Sequence, residues 1–196
     1  MLMSGSGSSR RRWLVVGYAG TAAFFALEAV AREPGEASHL TTTESDQGTT
    51  RQIVVAYGLA AGLAPVLTRL RAGRLPPASG PVGAGVMVAG LALRAWSMRT
   101  LGAYYSRTLR TTSDQRVVEH GPYRVIRHPG YLGSVMVWTG FALASGSAAA
   151  ALGVAALMGN AYGRRIVSEE AMLTDRFGSA YADYSQRTKR LIPFIW

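Results

Sequence analysis

Chemically versatile side chains concentrate in one short stretch near the middle of the chain. Residues 119–133 read Glu-His-Gly-Pro-Tyr-Arg-Val-Ile-Arg-His-Pro-Gly-Tyr-Leu-Gly and place two arginines, two histidines and two tyrosines directly before an apolar run. Arginine binds anions through a planar fork of donors, and histidine titrates near neutral pH. A purely structural interpretation is equally open, because Arg and Tyr side chains also mark the boundary between membrane and water.

A second group of candidate residues follows the apolar run. Arg165 and Glu169 stand four positions apart, so on a helix they share one face and lie within pairing distance. An isolated pair of this kind is usually a surface ion pair that contributes little. We favour a functional role, because the chain path predicted below brings Arg165 close to Arg127 and His128.

Composition excludes several other chemistries. The chain has no cysteine, so it offers neither a disulfide framework nor a thiol nucleophile, and its three histidines are too scattered for a metal site. A net charge of +10 is compatible with nucleic-acid binding, but the arginines flank apolar segments and form no basic domain. We therefore expect a lipid bilayer as the partner, no nucleic acid, no bound metal and no obligate protein partner.

The apolar residues gather into blocks, and nearly all the arginines lie between the blocks. This pattern predicts an all-α, polytopic (multi-pass) integral membrane protein in which residues 1–196 form a single membrane domain. We expect residues 1–12 to be flexible, 13–98 to hold the first three spans, and 99–196 to form the catalytic half. The five predicted spans are 13–31, 53–68, 82–98 and the two halves of 129–163. The connector at 32–51 is predicted to be a solvated loop without catalytic residues.

The run at 129–163 contains no charged residue. As a single helix it would be about 52 Å long, whereas the hydrocarbon core of a bilayer is about 30 Å thick. Ser145, Gly146 and Ser147 near its middle favour a turn. We therefore predict a C-terminal helical hairpin whose two outer ends emerge on the same side of the membrane.

The hairpin places the polar segments 99–128 and 164–196 on one face. Together they carry 12 of the 21 Lys and Arg residues, which predicts that this face is cytoplasmic. With five spans the amino terminus is outside, and the arginines at 10–12 depart locally from the rule. The first apolar block could also be a signal peptide, but its length and the spans that follow favour a true span.

The order Gly-Pro-Tyr, Arg-His-Pro, then Tyr and Gly within 121–133 resembles the signature of the isoprenylcysteine carboxyl methyltransferases. The second polar segment is similar to the same family at Glu169, Glu170, Leu173, Phe177, Gly178, Tyr181, Tyr184, Arg187, Pro193 and Phe194. The resemblance covers residues 102–195. It implies S-adenosylmethionine as the methyl donor, held at the cytoplasmic ends of the last spans, and a lipophilic or prenylated acceptor entering from the bilayer.

Carried over by position, the resemblance assigns a set of cofactor-binding residues. They are Thr108, Gln115, Arg116, Val117, Val118, Tyr123, His128, Pro129, Gly130 and Tyr131. Thr108 is the weaker match, and Gln115 and Arg116 depart from the expected His-Thr pair. The resemblance assigns Arg165 and Glu169 to the acceptor side, and Arg127 completes the predicted catalytic group.

An acceptor carboxylate is already ionised and needs no base, and an arginine can hold it by two hydrogen bonds. A small thiol or a phospholipid amine would instead need a base such as His128 or Glu169. Membrane sterol reductases that use NADPH share a similar helical layout, but Pro129 and the Glu169-Glu170 pair favour the methyltransferase. A non-enzymatic membrane scaffold is the remaining alternative.

Overall fold

A computed structural model describes residues 5–30, 46–106, 109 and 116–193, with side chains from residue 11 onward. The predicted all-α class is confirmed: the described residues form helices and two isolated β-bridges, and no strand. Six α-helices follow in order: α1 (Gly5–Val30), α2 (Thr49–Arg69), α3 (Ser79–Leu101), α4 (Pro129–Ala144), α5 (Ala148–Phe177) and α6 (Ser179–Arg187). Short 3-10 turns lie at Gly102–Tyr104 and Gly121–Arg124.

The predicted hairpin is present. Helix α4 ends at Ala144 and α5 begins at Ala148, so the turn comprises Ser145, Gly146 and Ser147. Gly146 adopts a φ of 83°, a conformation that side chains disfavour, and the Ser147 hydroxyl accepts a hydrogen bond from the Ala150 amide at 3.1 Å. The small residues at 145–147 therefore both reverse the chain and cap the helix that follows.

Two helices extend well beyond the predicted spans. Helix α1 begins at Gly5, eight residues before the predicted span at 13–31. Helix α5 continues to Phe177, 14 residues beyond the end of the uncharged run at 163. Polar residues are compatible with these extensions, since a helix satisfies its own backbone hydrogen bonds whatever its side chains.

Among the described residues, three helices are long and apolar enough to cross a membrane: Arg11–Val30, Thr49–Arg69 and Ser79–Tyr104. Helix α4 has only 16 residues, and α5 carries arginines from position 164. The hairpin therefore falls outside the three spans that length and composition identify.

The helices define two ends of the bundle. At one end, the Thr68 hydroxyl donates to the Ser145 hydroxyl at 2.8 Å, and the Ser147 hydroxyl donates to the carbonyl of Ala72 at 2.6 Å. At the other end, Glu28 of α1 pairs with Arg94 of α3, and Arg127 pairs with Glu170 of α5. We call this second end the polar end.

Glycines let α3 and α4 pack backbone against backbone. A methyl group added at Gly90 would lie 2.6 Å from the carbonyl oxygen of Gly133, and one added at Gly140 would lie 2.7 Å from that of Gly83. Both distances are too short for a real carbon contact. This glycine seam, comprising Gly83, Gly90, Gly133 and Gly140, sets the start of α4 against the middle of α3 and the end of α4 against the start of α3.

Candidate active site

A cavity that is partly open to solvent lies at the polar end. Its walls come from the end of α3, the segment before α4, the first turn of α4, the polar part of α5, and α6. Nine of the residues predicted to carry function line it: Arg116, Val117, Val118, Tyr123, Arg127, His128, Gly130, Tyr131 and Glu169. The two polar segments thus meet in one place.

The other predicted residues lie elsewhere. Pro129 is the buried first residue of α4, where its missing amide donor has no cost. Arg165 is buried beside the cavity wall and contacts the lining residue Tyr131. Thr108 and Gln115 lie outside the described residues.

His128 is held between two carboxylates. Its Nδ1 lies 3.5 Å from Glu169 Oε2 and its Nε2 lies 3.2 Å from Glu170 Oε1. Burial alone would lower the pKa of His128, but its hydrogen bonds to Glu169 and Glu170 outweigh that effect and raise the pKa. The ring also stacks on Tyr131, with centroids 5.5 Å apart and planes 6° from parallel. A cationic imidazolium, donating from both nitrogens, is the form that fits these partners.

Glu170 organises the site, although the sequence analysis assigned it no catalytic or binding role. Besides His128, its carboxylate accepts from Arg127 Nε and from Arg190 Nε, both at 2.9 Å. Burial acts to raise the pKa of Glu170, but the hydrogen bonds from His128, Arg190 and Arg127 hold it at about 2. The carboxylate therefore stays ionised and joins α5 to the segments on either side.

Arg127 secures the chain that follows α6. Its Nη1 donates to the carbonyl oxygens of Ser185 at 2.8 Å and Thr188 at 2.5 Å. The amides of Arg127 and His128 donate to the carbonyls of Lys189 and Arg190 at 2.7 Å and 3.0 Å. This short parallel pairing closes the α6 side of the cavity.

Within the described part of the chain, two buried polar atoms in the cavity wall have no close hydrogen bond. They are Glu169 Oε2, which has only the 3.5 Å contact with His128 Nδ1, and the Tyr181 hydroxyl, which has no partner. Burial acts to raise the pKa of Glu169, but the hydrogen bond and the charge of His128 outweigh it and lower the pKa. Buried polar atoms are normally satisfied, so a polar ligand fits here better than an apolar one.

Arg165 forms its ion pair with Asp46, which the sequence had placed in a solvated loop. Asp46 is fully buried, and that expectation is corrected. Arg165 Nη1 also donates to the hydroxyls of Thr49 and Thr50 at 3.0 and 2.9 Å, and its Nε donates to the Tyr131 hydroxyl at 3.2 Å. The predicted partner of Arg165 was Glu169, four positions away. Its ion-pair partner in the structure is Asp46, 119 positions away, and nothing local in the sequence signals that pairing.

A second buried arginine supports the first turn of α4. Arg94 Nε lies 2.5 Å from Glu28 Oε1, and its Nη1 donates to the carbonyl of Gly130 at 2.8 Å. Its Nη2 donates to the hydroxyl of Tyr105 at 3.2 Å. Sequence reasoning missed Arg94, but a lone arginine within an apolar helix is a usable signal, because buried charges in membrane helices need partners.

These features define a helical integral membrane protein with a charged, aromatic-rich cavity at one end of its bundle. A sequence profile of the isoprenylcysteine carboxyl methyltransferase (ICMT) family matches residues 83–175, from α3 almost to the end of α5. This segment, just under half of the chain, is therefore similar to the isoprenylcysteine carboxyl methyltransferase family.

Curated relatives agree with the family match. A probable protein-S-isoprenylcysteine O-methyltransferase of Oryza sativa subsp. indica is 27% identical over 116 residues, which cover 58% of this chain and 61% of the rice protein. The protein-S-isoprenylcysteine O-methyltransferase of Tribolium castaneum is 33% identical over 118 residues, which cover 58% of this chain and 41% of the beetle protein. The chain thus spans about half the length of these relatives.

A solved structure shares the fold over nearly the whole chain. It is that of the eukaryotic intramembrane Ras methyltransferase ICMT, with a TM-score of 0.74 and 23% identity, covering 99% of this chain and 70% of the solved one. The similarity extends to α1 and α2, which the family profile does not match.

Proposed function

We propose that the protein transfers a methyl group from S-adenosylmethionine to the carboxylate of a lipophilic, isoprenylcysteine-like acceptor. One observation carries the proposal. Within the family segment, His128, Gly130, Tyr131 and Glu169 line a single cavity although they come from two separate stretches of chain. Assigned cofactor residues and the acceptor-side Glu169 therefore line a common space, and Arg165 contacts Tyr131 in its wall.

The cavity suits the proposed donor. When bound, S-adenosylmethionine would supply an electrophilic methyl group on a sulfonium. Glu169 Oε2 can accept hydrogen bonds from its ammonium or hydroxyl groups, and the Tyr181 hydroxyl can donate to its carboxylate. The assigned cofactor set is the one given above, in which Thr108 and Gln115 remain predictions.

The groups in the cavity favour a carboxylate acceptor over a thiol or an amine. A thiol or an amine must lose a proton, but a cationic His128 cannot accept one, and a Glu169 carboxylate with a lowered pKa is a weak base. A carboxylate needs only alignment, and positioning can contribute about 7 to 11 kcal/mol to lowering the barrier. We assign alignment of the acceptor carboxylate to Arg165. We assign to Arg127 the positioning of His128, through the Glu170 carboxylate that both residues contact.

We also propose that the polar end faces the cytoplasm. The chain would then cross the bilayer about five times, with the amino terminus outside. Support comes from the two polar segments, which hold 12 of the 21 Lys and Arg residues, and from the ion pair that Arg127 and Glu170 form between them. Helices α4 and α5 would complete the spans as a hairpin shielded by α2 and α3.

Binding and transfer assays test the proposal. Calorimetry on the detergent-purified protein should detect binding of S-adenosylmethionine and no binding of NADPH. Labelled donor should then methylate a prenylcysteine analogue in preference to a small thiol or phosphatidylethanolamine. Binding of NADPH alone would overturn the methyltransferase assignment, and transfer only to the thiol or the amine would overturn the carboxylate acceptor.

A further inference from the structure

We propose that Asp46 forms with Arg165 the ion pair that the acceptor carboxylate would form, so that the acceptor must displace Asp46 to bind. This inference rests on the proposed function, because it concerns the residue assigned to hold the acceptor. It makes Asp46 a determinant of acceptor specificity, which neither the family segment nor the sequence pattern assigns, since Asp46 lies outside residues 83–175.

The Asp46–Arg165 ion pair has the same chemistry as a bound carboxylate acceptor. A carboxylate bound to a guanidinium is the contact that a carboxylate acceptor would make, and Asp46 already makes it. Arg165 is 2% exposed and Asp46 0%. A buried arginine needs a counter-charge whenever no ligand supplies one, because an unpaired buried charge is strongly destabilising.

The hydrogen bonds that Asp46 accepts, apart from those of Arg165, come from its own short chain segment. The Thr49 and Thr50 hydroxyls donate to its Oδ1 at 3.1 and 2.7 Å, and the Thr50 amide donates to its Oδ2 at 3.2 Å. Burial acts to raise the pKa of Asp46, but these bonds and the charge of Arg165 hold it below its usual value, so it is ionised at neutral pH. All of these partners except Arg165 lie within four residues of Asp46, at the start of α2.

The pair lies between two openings. Tyr131, which accepts from Arg165, lines the cavity at the polar end. Thr49, which also accepts from Arg165, lines an open groove between α2 and α5. That groove carries Arg51 and Arg164 together with exposed Val55 and Val167, a combination that suits an anion with an apolar chain.

Displacement also explains how product would leave. In the proposed step the acceptor oxygen forms a bond to the methyl carbon as the carbon–sulfur bond breaks, so an anion and a sulfonium become a neutral ester and a neutral thioether. The ester no longer carries the charge that competed for Arg165. Asp46 then pairs with the Arg165 guanidinium again. The acceptor therefore binds more tightly than the product only while it carries its negative charge.

Replacing Asp46 by Asn tests the competition, with Asp175→Asn on the exposed face of α5 as a control for the loss of one negative charge. The probes are N-acetyl-S-farnesylcysteine and its methyl ester. In Asp46→Asn we expect the carboxylate to bind on the order of tenfold more tightly, because its competitor is gone. The affinities of the ester and of S-adenosylmethionine should stay unchanged, as should all three in Asp175→Asn. Unchanged or weaker carboxylate binding in Asp46→Asn, with donor binding intact, would overturn the inference.

A second variant covers a possible folding defect. Thr50→Val keeps the Asp46 carboxylate but removes one of its donors, so carboxylate binding should tighten by a smaller factor; no gain there would also count against displacement. If the wild-type protein binds the donor but never methylates the farnesyl probe, the proposed acceptor and this inference fail together. If the wild type methylates the probe while both variants bind it normally, only the inference fails.

Discussion

Arg127 Nε lies 2.9 Å from Glu170 Oε1 and joins two polar segments that are 43 residues apart in the chain. The same carboxylate oxygen accepts from His128, and Oε2 accepts from Arg190. Three cationic groups therefore share one anion. The position of the His128 ring, and through it the shape of the cavity, depends on a residue that contacts no assigned substrate.

Replacing Glu170 by Gln should lower the free energy of unfolding by about 3 kcal/mol, because it leaves Arg127 buried without its counter-charge and His128 with only Glu169. Thermal unfolding in detergent measures the change. Glu119→Gln is the matched control, since Glu119 pairs with Arg187 on the surface, where the side chains are 41% and 64% exposed. That pair should contribute at most about 1 kcal/mol. Equal effects of the two substitutions would contradict the central role of Glu170.

Stability should have a maximum at mildly acidic pH. The pKa of Glu170 is lowered from 4.5 to about 2, so its contribution is present above about pH 4.5 and is lost as the pH falls through that range. The pKa of His128 is raised from 6.5, so its contribution is complete below about pH 6.5 and is lost as the pH rises through the raised value. Melting temperatures across this range check both limbs. The acid limb should flatten in Glu170→Gln.

Arg165→Lys should lose most of its activity while keeping its affinity for the donor. Lysine retains the charge but not the planar two-point hold, and a misplacement of about 1 Å can reduce the rate on the order of a hundredfold. Single-turnover rates under saturating donor measure the loss. Near-normal turnover would remove Arg165 from the acceptor site and, with it, the preference for a carboxylate.

Changes at the start of α4 should weaken donor binding first. His128→Gln removes a cation, and Tyr131→Leu removes the stacked ring that supports it. We expect the dissociation constant for S-adenosylmethionine to rise at least about tenfold in each, a loss of roughly 1.4 kcal/mol of binding energy. Calorimetry decides this. Variants that bind the donor normally but turn over slowly would move these residues to the acceptor side.

Single cysteines report the orientation of the bundle, since the native chain has none. Ala182 on α6 and Ala78 before α3 are both exposed and lie at opposite ends. An impermeant thiol reagent added to intact cells should label Ala78→Cys and spare Ala182→Cys, and inverted vesicles should give the reverse. Labelling of both from one side would refute the proposed crossings.

The sequence predicted the features that depend on local pattern. The uncharged run and the small residues at 145–147 were sufficient for the hairpin, because a helix of that length cannot stay within one crossing. The hairpin in turn predicted that the segment 99–128, which ends at Arg127 and His128, shares one face with the segment 164–196. The contacts of both residues with Glu170 confirm that the two segments meet.

The missed features depend on long-range packing. Asp46 reaches Arg165 across 119 positions, and Glu28 reaches Arg94 across 66. Asp46 stands in no pattern that distinguishes it from the other acidic residues of its connector, whereas Glu28 is the only charged residue in the apolar block 13–31 and gives the same kind of signal as Arg94. Their partners become visible only when α1 and α2 are placed against α3 and α5, which sequence spacing within one helix cannot specify.

The glycine seam between α3 and α4 has a consequence for motion. Helices whose backbones touch at four glycines lose close contacts if they slide or separate, which opposes movement of α3 against α4. Any breathing that admits or releases a ligand therefore falls to the surrounding elements. At the polar end the segment after α6 is joined to Arg127 and His128 by hydrogen bonds, which any movement of that segment has to break.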